Sequence, residues 1–135
     1  MKRSGQRGFT LMELMIAVGI ILVILTMVIP NLQAARIRTN EVSAIRTIGT
    51  IHTAQAQYQS QTNRYGVSLA ELSKVVSKKL ATSGTHSGYR FVLQGTTEGY
   101  QIIATPEKIG DTGNRTFVSD QTLSVQDSDG KEVGN

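Results

Sequence analysis

The chain opens on a short polar stretch, MKRSGQRG, and then turns apolar: residues 9–29, FTLMELMIAVGIILVILTMVI, are relieved only by Thr10, Glu13, Gly19 and Thr26. No charge occurs from Leu14 to Ala35. At 1.5 Å rise per residue the run makes a helix roughly 31 Å long, about the thickness of a bilayer's hydrocarbon core. From residue 31 the pattern becomes amphipathic. Leu32, Ala35, Val42, Ile45, Ile48, Ile51, Ala54 and Tyr58 recur at intervals of three or four, with Arg36, Arg38, Glu41 and Arg46 between them. This predicts one helix continuing to about residue 60, its apolar stripe covering a sheet. Pro30 has no N–H for the carbonyl of Thr26, so it either loosens the helix or ends the membrane span. The lack of any dense turn cluster after it favours continuation.

Beyond residue 60 the signals shorten. Ser68 and Glu71 form an S-x-x-E capping box ahead of Leu69, Leu72, Val75, Val76 and Leu80, predicting a short helix near 68–79. Lys74, Lys78 and Lys79 gather toward its C-terminal end, where the helix dipole favours cations, and read as a solvated face. From Tyr89 the period becomes two. Tyr89, Phe91 and Leu93, then Tyr100, Ile102 and Ala104, alternate with polar or smaller positions, and Phe117-Val118 and Leu123 with Val125 supply two shorter runs. The prediction is an α+β fold: a long N-terminal helix on a small antiparallel sheet of three or four strands. His52 lies near the apolar stripe with no second ligand at i+3 or i+4, so a packed histidine is expected. His86 falls in a Ser/Thr/Gly loop.

Composition narrows the chemistry. The 135 residues contain neither Cys nor Trp, which removes zinc fingers, iron–sulfur ligation, thiol nucleophiles and disulfide-stapled scaffolds. The formal charge of +4 suggests a polyanion until its position is read: Lys2, Arg3 and Arg7 precede residue 8, leaving eleven basic against ten acidic residues in the rest. A nucleic-acid-binding face is therefore not expected. The same three cations ahead of the apolar run keep the N-terminus cytoplasmic and send the remainder across the membrane. A cleaved secretory signal fits poorly, because the run exceeds the usual ~7–15 residues and Val28-Ile29-Pro30-Asn31 is no small-residue cleavage site. Glu13 is the anomaly. It is either an interfacial carboxylate snorkelling at the cytoplasmic end or a group that needs a buried positive partner.

The string RGFTLMELMIAVGIILVILTMVIP resembles the N-terminal signature of type IV pilins and the related pseudopilins: a basic leader, Gly8 at the cleavage point, Phe9, Thr10, Glu13 as fifth residue of the mature chain, and Pro30 past the run. The resemblance implies a leader of residues 1–8, a transmembrane and filament-core helix over 9–30, its amphipathic half over 31–60, and a globular head over 61–135. It implies that a prepilin peptidase cuts between Gly8 and Phe9 and methylates the new amine of Phe9. Glu13 then meets the Phe9 ammonium of a neighbouring subunit, a pairing that makes two buried charges tolerable. The segment from Gly19 to Pro30 is expected to unwind on assembly. Implied partners are copies of the chain, related minor pilins, membrane lipid, the peptidase, and an inner-membrane platform with its ATPase.

Three functions follow as expectations. The first is a structural subunit of a type IV pilus, the second a pseudopilin of a type II secretion piston, and the third, from another class, a monomeric single-pass anchor displaying a binding domain. The C-terminal half departs from both subtypes: pilins often close a loop with two Cys, absent here, and major pseudopilins carry Pro after an Arg-Tyr pair and a Trp-containing segment, whereas Arg64-Tyr65 precedes Gly66. Asp127 and Asp129 before Gly130, with Glu132 close by, form a weak calcium candidate that lacks the full EF-hand pattern. No nucleophile elbow, phosphate loop or acid–base pair appears, so no enzyme is expected.

Overall fold

The computed structural model describes residues 5, 7–96 and 98–133. Lys2 and Arg3, two of the three cations ahead of the apolar run, lie outside them. The chain divides into two compact units, Met1–Ala34 and Ala35–Asn135. Helix α1, Leu11–Thr62, supplies secondary structure to both and passes through Pro30 without a break in helical assignment.

In the first unit α1 is apolar on every side. Thr26 is tolerated there because its hydroxyl donates to the carbonyl of Val23 at 2.7 Å, leaving no free polar hydrogen.

The second unit is built on the remainder of α1. Ala44, Ile48, Ile51 and Ala54 pack into a core shared with the segment after the helix and with the sheet. The apolar stripe is narrower than the periodicity suggests: Leu32, Ala35 and Val42 face outward, and Glu41, Thr47, His52 and Gln55 take buried places instead. Each of these polar groups is satisfied, and among the described residues no buried side-chain donor or acceptor lacks a partner.

Residues 67–76 form consecutive turns rather than the helix expected over 68–79; the regular helix, α2, is Lys78–Ser83. The capping box of Ser68 is not made, because Glu71 reaches Arg64 and the N–H of Val67, both at 3.3 Å. Ser77 caps instead, accepting from the N–H of Leu80. Tertiary burial of Leu69, Leu72, Val76 and Leu80 dictates this path more than local propensity does. Lys78 and Lys79 consequently sit in the first turn of α2, not at a C-terminus.

The sheet is a five-stranded antiparallel meander in sequence order: β1 Thr85–His86, β2 Tyr89–Gly95, β3 Tyr100–Pro106, β4 Phe117–Asp120 and β5 Val125–Asp127. The strand beyond the predicted three or four is β1, a two-residue piece in the stretch read as a loop, whose His86 remains exposed. Alternation places Tyr89, Phe91, Leu93, Tyr100, Ile102, Ala104, Phe117 and Val125 on the core face. The register aligns them in rows, Phe91–Ala104–Phe117–Asp127 and Leu93–Ile102–Ser119–Val125.

Candidate functional site

At the N-terminus, Thr10 is the residue before α1 and Glu13 the third within it. The N–H of Thr10 donates to Glu13 Oε2 at 3.0 Å, and the N–H of Glu13 donates to Thr10 Oγ1 at 3.2 Å. This reciprocal pair satisfies two donors that a helix start otherwise leaves open. The motif T-x-x-E was present in the sequence as a capping signal, so the carboxylate that looks misplaced in an apolar run also has a local task. Gly8 and Phe9 precede the cap in non-helical backbone, and no heavy atom stands within 4 Å of where a side chain on Gly8 would begin. Gly8 and Phe9 thus lie in an exposed, non-helical segment leading into a helix.

Following the cap, the large apolar side chains from Phe9 to Leu32 stand exposed, from 84% for Phe9 to 44% for Leu25. The helix is long and apolar enough to cross a membrane. Each such side chain gains roughly 1.5–3 kcal/mol on leaving water, so a surface of this extent demands lipid or protein around it. Gly19 has open space around it, so no packing inside the chain requires a glycine at that position. Pro30 lies within the helix on the same unit.

In the second unit, three polar constellations hold the head together. Gln55, fully buried, accepts from the N–H of Gly66 at 2.8 Å and donates through Nε2 to its carbonyl at 2.9 Å, so an amide side chain takes the place of a paired strand. Glu41 accepts from Arg115 Nη2 at 2.8 Å, from Arg115 Nε at 3.1 Å and from the N–H of Asn114 at 3.1 Å. Arg115 also reaches Asp127 at 3.5 Å and lies over the ring of Phe117. His52 Nδ1 is 2.7 Å from the hydroxyl of Tyr100 and Nε2 is 2.7 Å from that of Ser119. Because Ser119 donates onward to the carbonyl of Ser124 at 2.8 Å, His52 donates from Nε2 and accepts from Tyr100 at Nδ1, the neutral tautomer.

The titration shifts follow from these contacts. Burial pushes His52 below its ordinary 6.5, with Asp120 opposing. Burial likewise raises the Tyr100 and Tyr89 hydroxyls to about 12. Burial works against the charged form of Asp127, but the N–H groups of Asp129 and Lys131 and the Arg115 guanidinium outweigh it and hold its carboxyl below 3.8. Hydrogen bonding to Glu41 raises Arg115 further.

The carboxylates of the calcium candidate have different surroundings. Asp127 Oδ1 accepts from the N–H groups of Asp129 at 3.0 Å and Lys131 at 3.1 Å, closing a turn at Gly130, whose φ is 74°, while Oδ2 faces Arg115. Among the described residues no group of three or more His, Asp or Glu side chains converges for a metal ion. Sequence reasoning missed the roles of Glu41, Gln55 and Arg115. No local signal marks them, because their partners are 11 to 74 positions away.

The comparisons with known proteins agree with the N-terminal geometry. Residues 3–29 match the prokaryotic N-terminal methylation motif. The chain is 32% identical over 98 residues to the type IV wide pilus major component PilA4 of Thermus thermophilus, covering 73% of this chain and 72% of that protein. It is 28% identical over 78 residues to type II secretion system core protein G of Klebsiella michiganensis, and 33% identical over 84 residues to the type IV major pilin protein PilA of Myxococcus xanthus. Of these last two it spans 55% and 36% of the length, respectively.

Proposed function

The chain belongs to the type IV pilin and pseudopilin superfamily, and from that premise we propose that it is a structural subunit of a type IV pilus, made as an inner-membrane precursor and polymerised through α1. The observation that carries this reading is the exposed apolar surface of the first unit directly behind the Thr10–Glu13 cap. A prepilin peptidase acting between Gly8 and Phe9 removes Lys2, Arg3 and Arg7, the cations that hold the helix at the cytoplasmic interface. It also places a new ammonium on Phe9, next to the helix start, where the dipole disfavours a cation. A carboxylate relieves that cost, and Glu13 of a neighbouring subunit is the one the apolar run supplies. Lipid contacts of α1 are then exchanged for contacts with other copies, driven outward by the platform protein and its ATPase.

A pilus is favoured over a secretion piston by the similarity to PilA4, 32% identical over 73% of the chain against 28% over 58% for the secretion protein. The head departs from both subtypes, having neither the two Cys of many pilins nor the Trp-containing segment of major pseudopilins. Immunolabelling of filaments sheared from the cell surface tests the assignment. Labelled surface filaments support the pilus; their absence from cells that require the chain for protein export supports the piston.

A further inference from the structure

The two margins of the sheet in the second unit differ in the charges they expose. At one margin α2 packs against β1 and carries Lys78 and Lys79, both exposed, with Lys74 exposed just before it and Arg90 on the outer side of β2. Of the carboxylates nearby, Glu71 is engaged by Arg64, while Glu107 and Asp111 line a pocket with Arg90 and Lys108, which leaves the three lysines as the unopposed cations of this margin. At the other margin residues 131–133 line the free side of β5, with Glu132 bridged to Gln126. There Asp129 and Glu132 are exposed and Asp120 half-buried; Glu132 accepts from the Ser124 hydroxyl and Asp120 from Thr122, but among the described residues neither meets a cation, Lys131 is the one cation among them, and Asp127 turns inward to Arg115. Local folding does not ask for the lysines, since Lys78 and Lys79 open α2, where the dipole disfavours them.

The meander order fixes these margins on opposite sides of one sheet. Five strands at about 4.8 Å spacing separate them by roughly 19 Å, more than twice the ~8 Å screening length at physiological ionic strength. They cannot neutralise each other within one chain. We propose that they are the two halves of one contact between copies, the basic β1–α2 margin of one head receiving the acidic β5 margin of the next. The inference rests on the polymer reading above and assigns the lateral surface by which heads associate. Because the two surfaces differ, the contact is heterologous and propagates from copy to copy, as a filament requires, whereas a twofold pairing of like margins sets equal charges face to face.

The test is charge exchange in the full chain, expressed in cells lacking the native copy and read as sheared filament protein relative to cleaved subunit left in the membrane. Lys78→Glu with Lys79→Glu, and separately Asp129→Lys with Glu132→Lys, each lower that ratio at least about tenfold, as like charges across a contact do, without lowering the amount of cleaved subunit. The fourfold exchange recovers most of it. Two double variants that assemble like the parent, or a fourfold variant that stays defective, overturn the pairing. A loss confined to the lysine variant also overturns it and points to an anionic lipid surface instead. A parent chain that makes no filament strikes the polymer reading itself, and the margin contact falls with it.

Discussion

Thr10 and Glu13 complete each other at the start of α1, each accepting the other's backbone N–H at 3.2 and 3.0 Å. Glu13 therefore has two separable properties: an acceptor oxygen that the helix start uses, and a negative charge that the cap does not strictly need, since Gln serves in the same motif.

Glu13→Gln keeps the acceptor and removes the charge. The account predicts that this variant is cleaved and accumulates in the membrane like the parent but is nearly absent from sheared filaments. Thr10→Ala, which keeps the charge and loses the cap, costs about 1 kcal/mol at the helix start and leaves filament yield reduced rather than abolished. Immunoblots of membrane and filament fractions separate the two.

Gln55 and Gly66 form the clamp that turns the chain back after α1. Gln55→Leu fills similar volume but leaves the N–H and carbonyl of Gly66 buried without partners, at a cost of about 2–4 kcal/mol. Urea unfolding of the detergent-solubilised chain, followed by the near-ultraviolet signal of its tyrosines, reads this as a lower midpoint at unchanged slope.

Arg115 holds Glu41 and Asp127, whose side chains are 8% and 5% exposed. Arg115→Met removes the cation from both carboxylates and leaves Glu41 the N–H of Asn114 and Asp127 the N–H groups of Asp129 and Lys131. A fully buried pair broken this way loses about 3–5 kcal/mol; because the guanidinium is 39% exposed, roughly half of that is expected here. Adding Glu41→Gln to the variant recovers part of the loss, which a purely steric role for Arg115 does not predict.

How much of this was readable in advance depends on the range of each interaction. The α1 helix was legible because its apolar run and stripe are local patterns, and β2 and β3 because strict alternation at Tyr89–Leu93 and Tyr100–Ala104 is local too. The segment 67–76 was misread. A correct capping motif at Ser68 lost to the burial of Leu69 and Leu72 and to the competing demand of Arg64 for Glu71. β1 is too short to show a period, and Glu41, Gln55 and His52 sit on a stripe that the pattern reserves for apolar residues. At the N-terminus the long apolar helix is legible from its composition, and the T-x-x-E spacing of Thr10 and Glu13 carries the cap that the structure shows.

His52 makes stability depend on pH in a window of its own. The folded chain favours the neutral ring, so the unfolded chain takes up a proton near 6.5 while the folded one does not yet. The stabilisation is complete above 6.5 and is lost as pH falls toward the lower folded value. Asp120 and Asp127, held below 3.8, act only in more acidic solution. Urea midpoints at pH 7.5 and 5.5 fall in the parent and converge in His52→Gln.

The central claim is that one helix serves first as membrane anchor and then, after cleavage at Gly8–Phe9, as filament core. Mass spectrometry of the subunit recovered from sheared filaments tests it most directly. The account predicts a subunit whose N-terminal peptide begins with N-methylated Phe9. A filament subunit that retains Met1 to Gly8 contradicts it.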